Sequence, residues 1–382
     1  MAAFSLFFFM WAGYFSVRPV RETVATLLGG DAVADLWLYT AAFSILIIPL
    51  YGSVVGKFKR STFLPWSYGA VAALLATVGL LLDPAAFNPL LGKAFYVFIS
   101  VVNLFLLSMF WSFLLELFDR GQTKRLFGVI AAGGSAGALA GPVVADMTVT
   151  TIGEQGVLFV AAAMFVIAIV CQRVLLRAWS ERPGADVVKE NKPIGGNVFA
   201  GVTLILRSPY LLGIALFIVG ISAVSTVLYF EQLRIVADTF ADTNERTRVF
   251  ARMDWIVQSL TVLTQIFLTG RIAARFGVKT LLTLVPLLMV LAFAALAAYS
   301  TFVLFAAVFI LRRAGEYALV RPGREMLWSP LDKETKYKAK STLDVPVYRG
   351  ADYVGGQANS ALLALGVTPN GMMAVGAVPV VS

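Results

Sequence analysis

Apolar runs of about 18 residues or more recur from one end of this chain to the other, and no other feature restricts its fold so strongly. A run of that length is what an α-helix needs to cross roughly 30 Å of hydrocarbon. In hydrocarbon, a helix is one of the few structures that satisfies all of its own backbone donors and acceptors. Composition points the same way: 59% of the residues are hydrophobic, 14% are charged and the mean hydropathy is +0.82. An all-α integral membrane protein is therefore expected. The opening run, "AAFSLFFFMWAGYF", lacks the short apolar core and small-residue cleavage site of a secretory signal, and reads as a retained helix.

Two scarcities narrow the chemistry. Cys171 is the only cysteine, which excludes an intrachain disulfide and argues against a cysteine-based metal cluster. The absence of histidine removes imidazole proton relays, His-liganded metals and Ser-His-Asp catalysis together. No G-x-x-x-x-G-K-[ST] loop is present, so ATP hydrolysis within this chain is not expected to drive anything. An enzyme, a metal site and a cofactor are accordingly not expected. The net charge of +9 reads as loop topology rather than as a nucleic-acid surface.

The runs predict helices over roughly 3–28, 36–55, 62–82, 94–118, 125–146 and 156–178, then over 209–232, 253–270, 279–299, 302–328, 340–365 and from 371 onward. This is a six-plus-six arrangement: a first bundle over residues 1–178, a polar linker over 179–208 and a second bundle over 209–382. The last segment, "GMMAVGAVPVVS", is too short to span, so the twelfth helix reads as incomplete. Within the linker, "NVFAGVTLILRS" reads as an amphipathic helix on the cytoplasmic face. The connections "GKFKRST", "DRGQTKR", "GRIAARFGVK" and "DKETKYKAK" are basic, while "GGDAVAD", "DPAAFNP" and "TVTTIGEQG" carry no Lys or Arg. By the positive-inside rule the N-terminus is then cytoplasmic. One predicted outside loop, "LRIVADTFADTNERTRVFAR" (233–252), dissents with four arginines beside Asp238, Asp242 and Glu245.

Charge inside the spans is the candidate chemistry. An arginine at the centre of a membrane helix costs about 2.5–3.5 kcal/mol on insertion scales, so it calls for a partner or a watery cavity. In "VRPVRETV", Arg18, Arg21 and Glu22 stand at i, i+3 and i+4 on one face, with Arg18 and Glu22 able to pair and Pro19 expected to kink the helix. In "VRPGREML", Arg321, Pro322, Arg324 and Glu325 repeat that spacing. Arg312, Arg313 and Glu316 precede the second string, and the next span adds Asp344, Arg349 and Asp352. These helices are expected to face one polar cavity, with the two strings on opposite sides of the membrane centre.

Arginine's planar fork matches phosphate and carboxylate oxygens, so Arg18, Arg21, Arg312, Arg313, Arg321, Arg324 and Arg349 are candidates for binding an anionic substrate. Glu22, Glu316, Glu325, Asp344 and Asp352 are candidates for ion coupling or for structural ion pairs. In "AAGGSAGALAGP", Gly133, Gly137 and Gly141 at four-residue spacing, followed by Pro142, suit close helix packing, with a hinge as the alternative. Trp111 and Tyr229 are packing residues or, alternatively, platforms for a substrate ring.

Two bundles whose matching loops are basic resemble the major facilitator superfamily, in which the halves are internal repeats. Gly270, Arg275, Phe276, Gly277 and Lys279 fit its loop signature after the eighth helix, and Gly52, Lys57, Phe58 and Arg60 fit it in part after the second. The strings "YFSVRPVRETV", "FWSFLLELFDRGQTKRLFGVIAAGGSAGALAGP", "LRSPYLL" and "YKAKSTLDVPVYRGAD" resemble the ATP/ADP translocase family of nucleotide transporters, and especially its bacterial relatives. Arg18, Arg21 and Glu22 occupy that family's basic, basic, acidic string, and Asp119, Lys124, Arg125, Phe127 and Gly128 match its loop after helix four. The family's glutamate upstream of the Phe-Trp pair has no acidic counterpart in "FISVVNLFLLSMFW".

The resemblance implies a monomeric secondary transporter of the bacterial cytoplasmic membrane, working by alternating access on an organic anion such as ATP, ADP or another phosphorylated metabolite. Two other functions fit the residues: a proton-coupled exporter of a non-phosphorylated compound, and a non-transporting receptor or assembly protein with the same fold.

Overall fold

A computed structural model of the chain describes residues 1–55, 60–83, 86–118, 120–180, 198–299, 301–332, 335, 339–340, 342–368 and 371. The described structure is all-helical. The helices are α1 (Ala2–Leu28), α2 (Gly30–Val55), α3 (Arg60–Leu81), α4 (Pro89–Leu117), α5 (Arg120–Ser180), α6 (Val198–Arg207) and α7 (Pro209–Thr239). They continue as α8 (Thr243–Thr264), α9 (Gly270–Ala298), α10 (Phe302–Gly315), α11 (Arg321–Leu327) and α12 (Tyr348–Ala364). Three π-helical segments interrupt them: Gln265–Thr269, Glu316–Val320 and Leu343–Val347. Most of the expected linker and the expected incomplete twelfth helix, together with Lys57, Phe58 and Asp119, lie outside the described residues.

Two of the helical stretches are bent by glycine. The 61 residues of α5 break at Gly153 (φ 67°), and α9 breaks at Gly277 (φ 78°), a backbone region that side chains with a Cβ rarely enter. Gly277 belongs to the loop signature, so that match now has a geometric reason. Among the described residues, five stretches are long and apolar enough to cross a membrane, the two bent ones included. Leu80, Leu90, Met147, Leu216 and Leu291 are exposed on such helices, where a lipid environment makes an apolar surface favourable.

The chain divides into two compact units. The first comprises Met1–Leu28, Leu46–Lys192 and Phe240–Trp255; the second comprises Gly29–Ile45, Pro193–Thr239 and Ile256–Ser382. In the first unit, α1 and α5 pack at backbone contact. A Cβ on Gly133 would stand 2.6 Å from the Phe4 carbonyl oxygen, one on Gly141 2.6 Å from that of Ala12, and one on Gly137 would strike that of Phe8. The three glycines thus meet every fourth carbonyl of α1 in parallel register, which is close packing by small residues. Beyond Gly153, α5 runs antiparallel to α3, with Gly79 against Leu158 and Gly69 against Ile169. Leu6, Met10, Leu75, Phe110, Phe113 and Phe165 fill the core, with Phe7 stacked on Phe110.

In the second unit, α7 runs beside α12, with Thr226 against Gly355. The α9 helix packs antiparallel to the α10–α11 stretch, with Val285 against Gly315 and Leu281 against Gly323. The α6 helix forms over most of the predicted amphipathic stretch and packs Ile205 with Leu211, Ile214 and Trp328.

One expectation is corrected. Residues 233–252 are not a loop: α7 runs to Thr239 and α8 starts at Thr243. Their charges hid the helix because they pair along it. Arg234 binds Glu231 and Asp238, Arg246 donates to the Phe240 carbonyl, and Arg248 and Arg252 both bind Asp146 of α5.

Candidate functional site

Among the described residues, the candidate site residues fall into a charged cluster in each unit. In the first unit, Arg18 lies on α1 with Nε 3.9 Å from Glu22 Oε1, the pairing that the i,i+4 spacing predicts. Its Nη1 is 3.8 Å from Asp254 Oδ2 on α8. Arg21 also pairs with Glu22, donates to Ser100 Oγ at 3.3 Å, and lies 5.4 Å above the Tyr96 ring of α4. Two arginines thus share two carboxylates. Around them run further hydrogen bonds: Thr23 with Thr247 at 2.6 Å, Thr247 to the Glu154 carboxylate at 3.0 Å, and Arg246 to Thr26 at 3.1 Å.

The second unit's cluster centres on Glu316. Arg312 Nη1 is 3.1 Å from Glu316 Oε2 and also donates to Ser225 Oγ of α7. Arg321 Nη2 is 3.6 Å from Glu316 Oε1. Tyr317 lies between two guanidinium groups, Arg321 at 4.3 Å and Arg313 at 5.8 Å from the ring centre, and Arg313 also lies 5.5 Å over Phe309. Further along, Arg324 pairs with Asp344 at 3.4 Å and Glu325 with Lys340 at 2.6 Å. Asp352 accepts a hydrogen bond from Ser222 of α7. Arg349 lies in the first turn of α12.

The second string therefore does not repeat the wiring of the first, although its spacing predicts that it should. The π-helical turn at Glu316–Val320 is the cause. It bonds the amide of Arg321 to the carbonyl of Glu316, five residues back, and so brings the two side chains onto one face. Arg321 pairs backward with Glu316, and Glu325 is left to Lys340. Pro322 supplies no amide donor to this turn. The carbonyls of Tyr317 and Ala318 instead accept from Gln265 at 3.2 Å and Thr269 at 2.7 Å, both in the π-helical turn after α8.

Asp254, Ser100, Tyr96, Ser225, Ser222 and Tyr317 join these clusters without having been expected. Asp254 was legible only as the one acid in "ARMDW", at the start of the helix expected over 253–270. Trp111 and Tyr229 are occupied by packing. Trp111 lies against Phe7, Phe110 and Phe127, and Tyr229 against Trp37 and Phe230.

Bent apolar helices in two units, long enough to cross a membrane and carrying arginine-rich clusters, are the architecture of a multi-pass membrane protein. Solved structures give the fold. A POT family transporter in complex with 5-aminolevulinic acid aligns with TM-score 0.68 and 15% identity over 100% of this chain and 93% of its own. The nucleoside transporter NupG aligns with TM-score 0.68 and 15% identity over 99% of this chain and 94% of its own. At that identity the likeness shows the facilitator fold alone.

The profile of the TLC ATP/ADP transporter family matches residues 93–378, and the chain belongs to that family. It is 27% identical over 301 residues to ADP,ATP carrier protein 1 of Chlamydia muridarum (strain MoPn / Nigg), covering 67% of this chain and 55% of that protein. It is 26% identical over 300 residues to the protein of the same name from Chlamydia trachomatis serovar D, with the same coverage. The chain thus spans about half the length of the curated relatives it matches, 55% in each case.

Proposed function

We propose that this protein is a secondary transporter of an organic anion, with exchange of adenine nucleotides in the manner of its relatives as the leading substrate reading. The observation that carries it is the second unit's cluster, where Arg312 and Arg321 both pair with Glu316 and Arg313 lies beside Tyr317. Arg313 and Arg321 lie 5.8 and 4.3 Å from the centre of the Tyr317 ring, and a guanidinium fork is of the shape that matches phosphate oxygens. Arg18 and Arg21 in the first unit supply a second pair of donors. The facilitator fold supports a reading of alternating access, in which the two strings would be charged stations towards opposite exits.

The setting proposed is a bacterial cytoplasmic membrane, the N-terminus inside and the protein monomeric. The basic connections support that orientation, and pairing of Arg234, Arg248 and Arg252 with acids accounts for the one charged stretch at odds with it. A proton-coupled exporter is the second reading, favoured by the buried carboxylates of Glu22 and Glu316. A thermal-shift screen of the purified protein against nucleotides, sugar phosphates and carboxylates separates the two, because ligand binding raises folded-state stability by mass action. Nucleotides are expected to give the largest shift. A response to no anion would remove the anion reading.

A further inference from the structure

Glu154 is a buried carboxylate that takes part in neither charged cluster. It is 2% exposed and stands directly after Gly153, where α5 breaks, yet Ile152 and Gln155 on either side of this pair are exposed. The carboxylate is therefore buried close to the surface of the first unit. Burial disfavours the ionised form of a carboxyl and hydrogen-bond donors favour it, so the groups around Glu154 decide its charge. Thr243 and Thr247 of α8 hydrogen-bond it, and Asp242 and Arg246 are the charged groups that act on it. Arg246 also binds Thr26 of α1 and the Phe240 carbonyl. On α1, Thr23 stands next to Glu22, which pairs with Arg21 and Arg18. Beside α3, the Leu82 carbonyl accepts from Gln155.

Three hydroxyl contacts run from this carboxylate into α1, all within the first unit. Thr247 Oγ1 lies 3.0 Å from Glu154 Oε1, Thr23 Oγ1 lies 2.6 Å from Thr247 Oγ1, and the Pro19 carbonyl oxygen lies 3.3 Å from Thr23 Oγ1. Thr23 and Thr247 are fully buried. Each hydroxyl has a single proton to donate. While Glu154 is ionised, Thr247 donates to the carboxylate, Thr23 donates to Thr247, and the Pro19 carbonyl receives nothing from Thr23. A protonated Glu154 donates to Thr247 instead, Thr247 turns to Thr23, and Thr23 turns to the Pro19 carbonyl. The added proton stays on Glu154 and each threonine keeps its own, so two hydroxyls rotate and no covalent bond breaks. A threonine that bonds the carbonyl four residues back often bends its helix. Here that bond falls at the proline of α1, between Arg18 and Arg21.

We propose that Glu154 is a proton-binding site, and that proton uptake there reverses the Thr247 and Thr23 hydroxyls so that Thr23 donates to the Pro19 carbonyl of α1. The proposal goes beyond both substrate readings given above and rests on neither.

Infrared titration of the purified full-length chain tests it, because a protonated carboxyl absorbs apart from an ionised one. The parent is expected to show a protonated-carboxyl band that grows as pH falls and is missing from Glu154→Gln. A band of equal size in Glu154→Gln overturns the site. Thr247→Val removes a donor that favours the ionised form, so the band is expected to titrate at higher pH, with proton affinity raised about threefold or more. That variant keeps Glu154 and covers the case in which Glu154→Gln fails to fold; an unmoved band overturns the proposal. Thr23→Val tests the chain, since Thr23 is tied to Glu154 through Thr247. Coupling is reciprocal, so this variant is expected to change the proton affinity of Glu154 by about threefold or more. Ser16→Ala, which removes another buried α1 hydroxyl, bonded to the Gly13 carbonyl, is expected to leave it unchanged. A titration in Thr23→Val that matches the parent overturns the link to α1.

Discussion

The strings "VRPVRETV" and "VRPGREML" share Val-Arg-Pro-x-Arg-Glu, yet the chain wires them differently. In the first, α1 is α-helical throughout, Arg18 reaches Glu22 four residues on, and the Glu22 side chain is 7% exposed. In the second, a π-helical turn precedes the string, Arg321 reaches back to Glu316, and the Glu325 side chain is 52% exposed in a pair with Lys340. A shared spacing fixes which residues can meet only while the helix keeps its period. One π-helical turn changes the partner from i+4 to i−5 and moves the buried carboxylate to a new position.

The comparison is broken most severely by removing the two glutamates in turn. Glu22→Ala leaves Arg18 and Arg21 buried with one fewer carboxylate, and losing one partner of a buried pair costs about 3–5 kcal/mol. Glu325→Ala removes an exposed partner, worth about 0–1 kcal/mol. Unfolding midpoints of the two variants in detergent should differ accordingly. Equal losses would mean that the strings are equivalent after all.

A smaller effect tests why α1 keeps its regular course. Gly137→Ala puts a Cβ into the Phe8 carbonyl of α1, and such overpacking costs about 1–3 kcal/mol, whereas Gly128→Ala meets nothing within 4 Å and should not destabilise. Unfolding measurements check this pair as well; a harmless Gly137→Ala would show that α1 and α5 are not held at backbone contact.

The smallest effect concerns the π-helical turn itself. Thr269→Val removes the donor to the Ala318 carbonyl and should cost about 1 kcal/mol. In a Pro322→Ala background the restored amide can supply the bond, so the same change should cost less. An equal cost in both backgrounds would separate Thr269 from Pro322.

Most of the helical framework was legible because apolar length and the absence of water leave few alternatives. The buried face of α1 and the glycine stripe on α5 followed from spacing alone. The π-helical turns were not legible: "EYALV" and "QIFLT" have the composition of any membrane helix, and the period change depends on Pro322 and on donors from another helix. Charge misled the reading at 233–252, where Arg234, Arg248 and Arg252 suggested a solvated loop and instead find acids along α7 and on α5. Asp254 went unseen for a related reason: it stood at the edge of the helix expected over 253–270, whereas α8 starts ten residues earlier and places it well inside a helix.

The central claim is that arginines in both units hold one kind of anionic substrate, and counterflow tests it most directly. Liposomes loaded with ATP and bearing the parent protein should take up labelled ADP. Arg21→Gln and Arg312→Gln should each lower the rate roughly tenfold or more, as loss of a charge-assisted contact implies, while Glu325→Gln stays near the parent. Exchange at the parental rate by both arginine variants would contradict the account.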